Sequence, residues 1–83
     1  MTLRDRLDDA LVRSIQANTA LEMRRQTVAE EFMLASMFRA GRKSNEYALH
    51  WLRAVGALSD ADKLCDLTND IADEITALRV EAA

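Results

Sequence analysis

The distribution of apolar and polar positions divides the chain into long helical stretches. Leu3, Leu7, Leu11 and Ile15 recur every four residues, with Ala10 and Ser14 alongside. That spacing marks a narrow apolar stripe on a helix. Asn18 falls in the stripe and Leu21 resumes it. An asparagine here either fixes register in an apolar seam, as in coiled coils, or sits exposed as the helix face drifts. From Val28 to Phe38 the pattern changes. Val28, Ala29, Phe32, Met33, Leu34, Ala35, Met37 and Phe38 spread around most of the helix circumference, which marks a segment covered on more than one side.

No Gly or Pro interrupts Leu3 to Arg39, so one helix is expected there. Thr2 and Asp5 have the spacing of a capping box at its start. Thr19 with Glu22, and Thr27 with Glu30, repeat that spacing inside the polar middle of the segment. They are candidate restarts, but continuity is the better reading. Gly41 follows the last apolar residues and is the expected C-terminal cap. Arg39, Arg42 and Lys43 then lie at the negative end of the helix dipole, where cations are favoured.

A second helix is expected over about 45–56, capped by Ser44 or Asn45. Tyr47, Trp51, Ala54, Val55 and Leu58 line one face, flanked by Ala48 and Leu52, with Trp51 and Tyr47 anchored against Phe32 and Phe38. Gly56 and Ala57 are expected to end it. Ser59 then caps a third helix over about 60–81, with Asp60 and Asp62 in its first turn. Leu64, Leu67, Thr68, Ile71, Ile75, Leu78 and Ala82 make its stripe. The steps of four and three from Leu64 to Ala82 are those of a short coiled-coil seam. Cys65 flanks the seam, half-buried, while Asp66, Asp70, Asp73 and Glu74 face outward.

The pattern therefore predicts a single all-α domain over residues 1–83. A long N-terminal helix packs antiparallel against two shorter ones, as a helical hairpin bent at Gly56 or as a three-helix unit. Short connections favour antiparallel neighbours. The hairpin also sets the acidic third helix beside Arg4, Arg6 and Arg13. Absence of Pro and the presence of only two Gly agree with an all-helical chain.

Composition adds one constraint. At 83 residues the core is marginal, and chains of this size commonly gain stability from disulfides, metals or self-association. Cys65 is the only cysteine and His50 the only histidine, which leaves self-association. A homodimer or larger bundle is expected, built on Val28, Phe32, Met33, Met37 and Phe38. A lone thiol and the lack of an apolar N-terminal leader suggest a cytoplasmic protein, and no stretch is apolar enough to span a membrane.

Charge is segregated beneath a net −3. Residues 39–56 carry +3, and residues 57–83 carry −5. No catalytic motif, metal-ligand spacing or cofactor motif accompanies these charges, and His50 has no candidate nucleophile or ligand partner around it. The function expected is therefore non-enzymatic: a small homo-oligomeric adaptor, regulator or inhibitor that binds another protein. Asp66, Asp70 and Asp73, or the basic turn, would supply the partner contact. The alternative is a nucleic-acid-binding regulator using Arg39, Arg42, Lys43 and Arg53. The acids Asp60, Asp62 and Asp66 on the helix after Gly56 argue against a helix-turn-helix, because affinity for DNA comes largely from cations. A third possibility is an anion at the start of the second helix, beside Arg42 and Lys43.

Overall fold

The computed structural model describes residues 2–82. It contains two helices, α1 (Leu3–Ala40) and α2 (Ser44–Ala82), joined by a tight turn. They pack against each other as an antiparallel hairpin about 60 Å long and 16 by 14 Å across.

The start of α1 follows from side-chain chemistry. Thr2 Oγ1 accepts from the Asp5 N–H at 3.2 Å, and the Asp5 carboxylate accepts from the Thr2 N–H at 3.3 Å. Two of the free N–H groups at the helix start are thereby satisfied. The inner capping-box spacings do not restart the helix. Thr27 Oγ1 instead donates to the Met23 carbonyl at 3.1 Å, one turn back, a bond that belongs to a continuing helix. Asn18 is exposed, and its amide donates to the Ser14 carbonyl at 2.8 Å. It takes no part in the seam.

The turn differs from expectation in detail. Gly41 has an ordinary φ of −79°, and its N–H still donates to the Met37 carbonyl at 3.0 Å. The left-handed residue is Arg42, with φ 59°. Lys43 N–H then closes the helix end by donating to the Phe38 carbonyl at 2.9 Å. The first bond of α2 runs from Tyr47 N–H to the Lys43 carbonyl at 2.9 Å. Ser44 is therefore the first helical residue rather than the cap.

The break expected at Gly56 is absent. α2 runs unbroken through Gly56, Ala57 and Ser59, so the two shorter helices expected over 45–56 and 60–81 are one, and the three-helix unit gives way to a two-helix hairpin. The reason lies in what surrounds the glycine. Ala54, Ala57 and Ala61 are all buried, whereas Gly56 points outward with nothing within 4 Å of a Cβ placed there. An isolated glycine lowers helix stability by about 1 kcal/mol without forbidding helical geometry. Burial of its neighbours offsets that cost. Gly56→Ala is accordingly expected to stabilise the protein by about 1 kcal/mol, read as a shift in urea midpoint with unchanged slope.

The buried positions define the packing. On α2, Tyr47, His50, Ala54, Ala57, Ala61, Leu64, Thr68, Ile71, Ile75 and Leu78 are buried or half-buried, in alternating steps of three and four. On α1 the same alternation runs through Leu3, Leu7, Ala10, Ser14, Ala17, Leu21, Arg24, Val28, Glu31, Ala35 and Phe38. All but Arg24 are buried or half-buried. This is not the every-four stripe read first. Leu11 and Ile15 stay exposed, while Ala10 and Ala17 are buried and cluster with Ile71, Ile75 and Leu78, with Leu3 and Leu7 packed against them.

Six of the ten buried apolar residues are alanines, and small contact residues set a short distance between helix axes. The cost of that closeness is a thin core. Among the described residues no large side chain is fully buried.

Candidate interaction surfaces

A two-helix hairpin has two broad faces, and here they differ in chemistry. One carries ion pairs between the helices. Arg13 meets Glu74 with two parallel bonds, Nη1 to Oε2 at 3.0 Å and Nη2 to Oε1 at 2.6 Å, while its Nε donates to Asp9 at 2.9 Å. Arg6 and Glu81 approach to 3.9 Å, as do Arg24 and Asp60. The acidic end of the chain thus lies along the arginines of α1, as the charge pattern suggested.

The hydrogen bonds from Arg13 hold the Glu74 carboxyl below the usual carboxylate range, assisted by the charges of Arg13 and Arg6 and opposed by partial desolvation. The same bonds raise the Arg13 guanidinium still further from neutrality. A carboxylate whose pKa is lower in the folded state contributes stability above its unfolded pKa and loses it as pH falls through the folded value. Glu74→Gln is therefore expected to flatten the acid limb of the stability–pH curve below the usual carboxylate range. The effect at neutral pH is small, because the pair is exposed and screened. Thermal melts of both proteins across the acid range check this.

The opposite broad face carries an exposed apolar patch. Phe32 on α1 meets Trp51 on α2 edge-on, with ring centroids 5.3 Å apart, and Tyr47 lies 6.3 Å from Trp51. Val55 and Leu58 continue the patch along α2, both exposed. Below them is a groove of about 180 Å³, lined by Leu21, Arg25, Val28, Leu58, Asp62 and Cys65 among others. Leu11 and Ile15 extend the same side toward the open end of the hairpin, at positions one helical step beyond the seam. Trp51 does not reach the buried interior expected of it. It is 45% exposed, because the seam at that level is filled by His50 and Ala54.

His50 occupies a seam position. Its Nδ1 hydrogen-bonds the Glu31 carboxylate, and its ring stacks flat on Phe38, with centroids 5.2 Å apart and planes 6° from parallel. The two side chains are only 14% and 17% exposed. Sequence reading placed His50 at the edge of an apolar face without a partner. The missed signal is a seam position on each helix, with Glu31 and His50 offering complementary chemistry near the same end of the hairpin.

The five residues expected to drive self-association are divided. Val28, Phe32 and Phe38 are half-buried and lean toward α2. Met33 and Met37 are 57% and 63% exposed and point away from α2. The basic residues are also divided. Arg39, Arg42 and Lys43 gather at the turn and are exposed, while Arg53 lies more than two helical turns up α2. Asp66, Asp70 and Asp73 line the outward side of α2, exposed. Cys65 is half-buried and free. Among the described residues, no helix is long and apolar enough to cross a membrane. Comparison with protein-family models, with curated proteins and with solved structures finds no match.

Proposed function

We propose that this chain is a small, non-enzymatic, homo-oligomeric protein that acts through protein–protein interaction, as an adaptor, regulator or inhibitor, with its helices forming a coiled-coil-like bundle in the cytoplasm. One observation carries the reading. The hairpin exposes 6128 Å², whereas a compact monomer of 9.3 kDa exposes about 5,000 Å² by the usual size scaling. The excess is largely side surface of a long, thin molecule, and on one broad face it includes the exposed Trp51, Val55 and Leu58. Exposed apolar side chains grouped on one face support reading that face as an interaction surface.

A test follows from mass action. An oligomer is stabilised by its own concentration, so its melting temperature rises with it. The proposal expects a clear rise over a roughly hundredfold range of protein concentration. A melting temperature that does not move contradicts self-association.

A second reading has one observation in its favour. Arg39, Arg42 and Lys43 make an exposed cationic tip, and none of them has an ion-pair partner among the described residues. A nucleic-acid-binding regulator would use this tip, with Arg53 more remote. Binding to duplex or single-stranded nucleic acid that weakens steeply with salt is its signature. Absence of such binding removes it.

A further inference from the structure

We propose that the broad face carrying Phe32, Trp51, Val55 and Leu58 docks a second copy of this chain, with α1 of each copy lying over α2 of the other and both turns at the same end. The proposal rests on the self-association reading and adds which face is used and how the copies are oriented.

Area is the first argument. The hairpin is about 60 by 16 Å in outline, so one whole broad side projects on the order of 1,000 Å², room enough for the roughly 800 Å² per partner buried in a stable interface. Burying it removes about the amount by which the hairpin exceeds a compact monomer. The opposite face, with Arg6, Arg13, Arg24, Asp60, Glu74 and Glu81, already uses its charges within the chain.

Composition is the second. Phe32 packs against Trp51 at the turn end of the patch, and aliphatic Val55 and Leu58 continue it along α2. Large aromatic residues are enriched among the anchors of protein interfaces.

Charge gives the orientation. Arg25 and Asp62 line the same groove at nearly the same height on the hairpin, one on each helix. Neither has an ion-pair partner within the chain among the described residues. A two-fold axis along the hairpin sets α1 over the partner's α2. Each Arg25 then faces an Asp62 across the interface, twice per dimer. It also stacks the aromatic patch on itself. Turning the second copy end for end instead sets α1 over α1 and α2 over α2, so Arg25 no longer faces Asp62 and that arrangement loses the charge pairing.

The experiment is sedimentation equilibrium on five variants beside the wild type, with helicity followed by circular dichroism. Val55→Glu with Leu58→Glu is expected to weaken dimerisation at least about a hundredfold, with helicity retained, because both positions are exposed in the single hairpin. Met33→Glu with Met37→Glu is expected to leave the dimer intact. Arg25→Asp and Asp62→Arg alone are each expected to weaken it by roughly tenfold, and the double exchange to restore it. The charge variants keep the face testable if the double glutamate variant loses helicity. A dimer broken by the methionine variant and not by the others overturns the proposed face while leaving self-association standing. Failure of the double charge exchange to restore affinity overturns the orientation. A wild type that is monomeric throughout overturns both the face and the self-association reading.

Discussion

Leu78→Ala is expected to lower stability by about 2–4 kcal/mol, the usual range for truncating a well-buried leucine. Leu78 is among the most buried of the larger side chains and belongs to the cluster of Ala10, Ala17, Ile71 and Ile75, against which Leu3 and Leu7 pack. Its removal leaves a void that two long helices cannot close without shifting register along the whole seam. A domain of this size has roughly 4–12 kcal/mol in total. The loss is therefore a large part of the whole, and the open end of the hairpin is expected to fray first. Denaturant unfolding gives the magnitude. Hydrogen exchange resolved along the chain shows whether the loss begins at the termini.

The second large effect is overpacking. Ala10 and Ala54 have no solvent exposure, and they set how closely the helices approach. Ala10→Leu is expected to cost about 1–3 kcal/mol, because three further carbons must enter a space sized for a methyl group beside Ile75. Ala77→Leu is the control. Ala77 is exposed on the same helix as Ile75, and both residue types are strong helix formers, so stability there is expected to change little. A cost at Ala77 equal to that at Ala10 would mean that close helix approach is not what holds the hairpin together. Both substitutions are read by the same denaturant melts.

These two cases also show why the sequence was partly legible. Long apolar residues at Ile71, Ile75 and Leu78 announced the seam at the open end, and the capping box at Thr2 and Asp5 announced the start of α1. The charge segregation anticipated the pairing of Arg6 and Arg13 with the acidic end. What misled was the weight given to size. Leu11 and Ile15 are more conspicuous than Ala10 and Ala17, yet the alanines are the residues that face α2. Alanine serves equally in a helix interior, a helix surface or a close contact, so its pattern is informative only when both helices are considered together.

The same weakness produced the expected break at Gly56. Read forward, the large apolar residues of the seam begin at Leu64. Read backward, its alternating steps continue through Ala61, Ala57 and Ala54 to His50 and Tyr47 without a skip. A glycine and a serine at Gly56 and Ser59 suggest punctuation locally, but neither occupies a seam position, and the burial of Ala54, Ala57 and Ala61 around them decides the outcome. At the turn, Gly41 caps α1 as its position predicts, while the left-handed conformation falls on the next residue, Arg42, because the Gly41 N–H is still held by the Met37 carbonyl.

The exposure of apolar residues was legible as a property of the chain and not as a place on it. Excess apolar character over Val28 to Phe38 correctly indicates that α1 meets more than solvent, but helix rotation splits that segment. Phe32 joins Trp51 on the apolar broad face, while Met33 and Met37 turn outward. Which residues share a face depends on the register between α1 and α2, and the seam that fixes it includes the buried alanines Ala10, Ala17, Ala54 and Ala57 as well as the larger residues.

The solution mass of the unmodified protein, by size exclusion with light scattering, tests the central claim most directly. The account predicts twice the chain mass of 9.3 kDa at working concentrations. A mass of one chain at every concentration would contradict it, because the apolar broad face would then stand open to water with no second copy covering it.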